Sequence, residues 1–95
     1  MFHIKQYTKK DGIATRVYSD GFVHRRHAEE RFLAICALEV LDKGYVFMYA
    51  DHFPTGHPII RKVEMQNNDV QMIVELSDTD SPKWLEYNRG GLRNE

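Results

Sequence analysis

The chain has 95 residues, 42% of them hydrophobic, 12% aromatic and 28% charged. These are globular values: they exclude wholesale disorder and set the scale at one domain with one thin core. The net charge of −1 hides an asymmetry. Residues 1–31 carry seven Lys/Arg against four acids, a balance of +3, and residues 32–95 carry six against ten, a balance of −4.

Phe2 to Thr8 reads as a first strand, followed by Lys10-Asp11-Gly12. Asp-Gly is the pair that tolerates positive φ in a two-residue hairpin turn. Ile13 to Tyr18 alternates with period two, so a second strand returns and is predicted to end at Ser19-Asp20-Gly21.

A helix is expected from about Arg25 to Lys43. Glu29 and Glu30 suit the positive end of its dipole, whereas Arg25 and Arg26 at the same end oppose it. From Phe32 to Leu41 it has nine apolar side chains and one charge, Glu39. A helix apolar nearly all round needs burial on most sides. On a helical wheel Phe32, Leu33, Cys36 and Val40 cluster as the side for a sheet. Ile35, Leu38 and Leu41 project away from that cluster and are the expected contact surface for another protein, first of all a second copy of the chain. Gly44 is expected as the left-handed residue beyond the helix.

Tyr45 to Ala50 reads as a third strand, apolar on both faces and therefore expected in the middle of its sheet. The loop at 51–58 sets Phe53 between Pro54, Pro58 and polar residues, a second candidate protein contact. Ile59 to Met65 is a fourth strand, Asn67-Asn68 a turn, and Val70 to Leu76 a fifth strand of clean alternation. Ser81-Pro82 opens a short terminal helix with Trp84, Leu85 and Tyr87, closed by Gly90-Gly91. The expected fold is therefore α+β: an antiparallel sheet of about five strands in ββαβββα order, one long helix on a face and a short C-terminal helix. Residues 1–91 form the domain and 92–95 a flexible tail.

The chemistry-bearing residues point away from catalysis. Cys36 lies on the apolar helix and, being the one cysteine, forms no internal disulfide. Ser19, Ser77 and Ser81 sit in no strained elbow motif. The glycines are scattered and serve turns or caps, not a phosphate loop. His24, His27, His52 and His57, with Asp51, have no spacing typical of a metal site, so no metal and no cofactor is expected. No apolar run reaches the length of a membrane span and the N-terminus has no signal-peptide core, which makes a cytoplasmic protein the expectation.

Two functional classes remain. The first is a small non-catalytic interaction module, of regulator, inhibitor or immunity type, that self-associates through Ile35, Leu38 and Leu41. The second is nucleic-acid binding: Lys9, Lys10, Arg16, Arg25 and Arg26 interleave with Tyr7, Tyr18 and Phe22, cations for phosphate and rings for bases. The basic hairpin, Gly21-Phe22 and the helix that follows loosely resemble the arm-binding domains of phage-type integrases over about the first 40 residues. That resemblance implies a nucleic acid as the ligand, in line with the second class.

Overall fold

The computed structural model describes residues 1–52 and 58–80. The elements are β1 (Phe2–Lys10), β2 (Ile13–Phe22), α1 (Arg25–Leu41), β3 (Val46–His52), β4 (Ile59–Asn67) and β5 (Val70–Asp78). The five strands form one antiparallel sheet in the order β2-β1-β5-β4-β3. The short C-terminal helix expected at Ser81-Pro82 lies outside the described residues, as does the tail at 92–95.

Turn chemistry sets the hairpins. Asp11 and Gly12 both take positive φ, 53° and 78°, the backbone that a two-residue turn between twisted strands requires. Asn68 does the same between β4 and β5, at φ 54°. β2 does not stop at Ser19: it runs on to Phe22, with Gly21 paired to His3. The expected break is a continuation because Gly21 lies where another side chain already sits; a Cβ there would come within 3.2 Å of the Met1 sulfur. Gly44 takes φ 75°, as its place after the helix requires.

Pairing with β1 on one side and β4 on the other makes β5 the middle strand, and it is buried along most of its length. β3, by contrast, is an edge strand: among the described residues it pairs with β4 only. Its apolar composition does not mark a central position. Val46, Phe47, Met48 and Tyr49 are all exposed.

α1 lies across β5, β1 and β2. The core beneath it is Ile4, Ala28, Phe32, Val63, Met65, Met72, Val74 and Leu76. Ala28, Phe32 and Glu39 are the helix residues turned fully inward, flanked by half-buried Ile35, Cys36 and Val40. This reverses two expectations: Ile35 packs on the core, and Leu33 stands outside it at 55% exposure.

The reason is Glu39. Its side chain turns under the helix, where Oε1 accepts a 2.9 Å hydrogen bond from Nε2 of Gln6 on β1. Lys43 closes over the same oxygen at 3.2 Å. Ala28 and Phe32 are the apolar residues of the charged first half, but from Phe32 to Leu41 the surface is apolar nearly all round and burial alone sets the rotation there only weakly. A buried carboxylate must keep its donor, so this contact fixes it.

Three stability results are expected. Phe32→Ala lowers the unfolding free energy of the protomer by about 3–5 kcal/mol, whereas Leu41→Ala, at a site 80% exposed in the protomer, stays within about 0.5 kcal/mol of wild type; urea titration at a concentration where the chain is monomeric measures both. Glu39→Ala strips the Gln6 amide of its carboxylate acceptor and costs about 1–3 kcal/mol in the same assay.

Candidate protein interface

Residues spaced four apart line up on a helix. On the outer side of α1 this gives two adjacent rows, Leu33-Ala37-Leu41 and Ala34-Leu38, all exposed. Leu38 is 54% exposed and Leu41 80%. Of the three helix residues expected at an interface, the structure therefore sets Leu38 and Leu41 on one open surface and withdraws Ile35 toward the core. Leu33 takes its place, a substitution that only the Glu39 contact reveals. Phe53 lies outside the described residues.

The flanks of the helix differ. One faces β2, where Arg31 donates to the Tyr18 hydroxyl at 2.9 Å and lies 5.9 Å from the Phe22 ring centre. The other carries Cys36 and faces β4, close enough for Arg61 to act on the thiol. Beyond it the sheet ends in the exposed β3.

Burial, and secondarily the Glu39 carboxylate, push the Cys36 thiol up to about 11, with Arg61 opposing them. Little thiolate exists there at neutral pH.

Between the C-terminal half of α1 and the β1–β2 hairpin lies a cleft of about 410 Å³. Gln6, Glu39 and Met72 are its buried residues; Tyr18, Lys43 and Tyr45 belong to its more open wall. The second oxygen of Glu39, Oε2, has no hydrogen-bond partner among the described residues.

The five cations considered for nucleic acid are distributed rather than gathered. Lys9 and Lys10 sit at the hairpin end of β1, with Lys10 3.8 Å from Asp69. Arg25 and Arg26 open α1, next to the opposite end of β2, and pair within the helix to Glu29 at 2.9 Å and Glu30 at 3.9 Å. Nine strand residues, roughly 30 Å, separate the two groups. Arg16 lies between them on β2, opposite Tyr7. By strand alternation Lys5, Tyr7 and Lys9 share the sheet face away from α1, and the Lys5 ammonium is 5.8 Å from the Tyr7 ring centre. On that face the Tyr49 hydroxyl and the Gln71 amide donate to Glu64.

The rings of His24 and His27 meet edge-on at 5.5 Å. No three His, Cys, Asp or Glu side chains converge among the described residues. Among the same residues no helix is long and apolar enough to cross a membrane. No family model, curated protein or solved structure matches the chain.

The thiol gives a pH prediction. A folded-state value above the unfolded one, 9.0, stabilises the fold below pH 9, and that contribution fades as pH rises toward 11. Wild type therefore loses more stability than Cys36→Ala between pH 8.5 and 10.5. Native alkylation by iodoacetamide at pH 8 runs about a hundredfold slower than in the unfolded chain.

Proposed function

We propose that this chain is a small non-catalytic protein–protein interaction module, of regulator, inhibitor or immunity type, that self-associates through the outward face of α1. The observation that carries this reading is the double row of Leu33, Ala34, Ala37, Leu38 and Leu41 left open on a helix whose other side is already packed. Scattered exposed leucines are ordinary; adjacent rows of them on one rigid element are the anatomy of a contact surface. Three leucines there do nothing for the protomer's own core, and their exposure carries a solubility cost that a partner removes. The module is read as non-catalytic because its single thiol is held protonated.

Leu38→Glu and Leu41→Glu test the reading. Sedimentation velocity over a wide concentration range is expected to show a wild-type dimer and a monomer for each variant, with the circular dichroism of the fold unchanged. A wild-type chain that stays monomeric at high concentration overturns it.

One observation favours nucleic-acid binding as a second reading: Lys5, Tyr7 and Lys9 share one sheet face, and Arg16 is paired to Tyr7 beside them. Under that reading Lys9→Glu and Arg16→Glu abolish retention on heparin and the binding of a labelled oligonucleotide. Arg25→Glu and Arg26→Glu, at the far end of the hairpin, have the smaller effect. Unchanged retention in all four variants removes it.

A further inference from the structure

The charges of α1 run against its own dipole. Its first turn holds Arg25 and Arg26 and no acid, its last turn holds no base, and Asp42 caps the C-terminus. Cations are disfavoured at the positive end and anions at the negative end, each by an amount that salt screens. An isolated helix gains nothing from this pattern. Two such helices side by side and head to tail gain from both ends, because Arg25 and Arg26 at the start of one meet Asp42 at the finish of the other, where the adjacent Lys43 is turned back onto Glu39.

The apolar rows allow that pairing. Ala34 and Ala37 are small, exposed and central to the outward face, so two helix axes can approach closely there. Setting Ala34 of one helix against Ala37 of the other, in antiparallel sense, fixes the remaining register. Leu33 then meets Leu38 of the second copy, and the reciprocal pair forms by symmetry. Arg26 lies three residues beyond Asp42 of the second copy, about 4.5 Å along the axis, within reach of its carboxylate and of the last helix carbonyls. Arg26 is on the outward side and free to turn: its pairing to Glu30 is 3.9 Å long and both side chains are largely exposed.

We infer that the occupant of the outward face of α1 is a second copy of this chain, bound helix to helix in antiparallel sense across Ala34 and Ala37, with Arg26 of each protomer at Asp42 of the other. The contact is isologous and closes as a two-fold dimer. The inference rests on the self-association proposed above and adds its geometry. A parallel pairing places Arg26 beside Arg26, and a foreign partner owes nothing to Asp42.

A charge-reversal cycle on the full chain tests it. Dimer dissociation constants are measured by sedimentation at low and at high salt for wild type, Arg26→Glu, Asp42→Arg and the double variant. Each single change is expected to weaken the dimer about three- to fivefold at low salt, and the double variant to return to within about twofold of wild type. High salt compresses these differences. A double variant as weak as either single one overturns the antiparallel pairing, as do single changes without effect or a dimer that Arg26→Glu strengthens. Leu38→Glu separates the two levels. If it dissociates the dimer while the charge variants do not, self-association stands and this geometry falls; if wild type never dimerises, both fall.

Discussion

The contact between Gln6 and Glu39 decides which way the only described helix faces. Every other large side chain in the second half of α1 is apolar, so apolar patterning alone does not choose among the stripes of that half. Glu39 does choose. Drawn beneath the helix, it holds the Gln6 amide and is roofed by Lys43. Ala28 and Phe32 are turned inward by the charged residues around them, and Glu39 carries the same rotation through the second half, where Ile35 is half-buried and Leu33 exposed. A polar pair inside an apolar core stabilises little in itself, and its value lies in choosing one arrangement among near equals.

With the rotation fixed, there is more apolar surface than the protomer can use. The helix spans β2, β1 and β5 and its flank reaches β4, so β3 stays bare. Both edges of the sheet are interrupted: the register shifts at Val17 on β2 and at Met48 on β3. Bulges bend an edge and spoil it as a template for another strand. The outer face of α1 has no such interruption. Its exposed rows run along one helix, which is why the proposed association is placed there rather than at strand pairing.

Much of the architecture was legible in the residues. Asp11-Gly12 and Asn68 announced their turns through backbone chemistry, and the five strands and the helix start at Arg25 followed from periodicity. What escaped reading had a common cause, dependence on a partner distant in sequence. Gly21 looks like a breaker until Met1 is seen beside it. The apolar run Val46–Ala50 looks central, yet lies at the edge, because composition reports hydrophobicity and not the number of neighbouring strands. Leu33 and Ile35 exchange roles because of one hydrogen bond spanning 33 residues. The basic residues, close in sequence, end up at opposite ends of one hairpin.

The order of the strands also shapes how the chain assembles. The strand at the heart of the sheet, β5, is the last of those described, and it joins the first strand to the fourth. Until it arrives, the early hairpin with its helix and the later strands are two halves without a keystone. Joining them closes a wide loop, which makes folding slower than for a chain of local contacts. Until β5 pairs with it, β1 presents an open flank to any other strand.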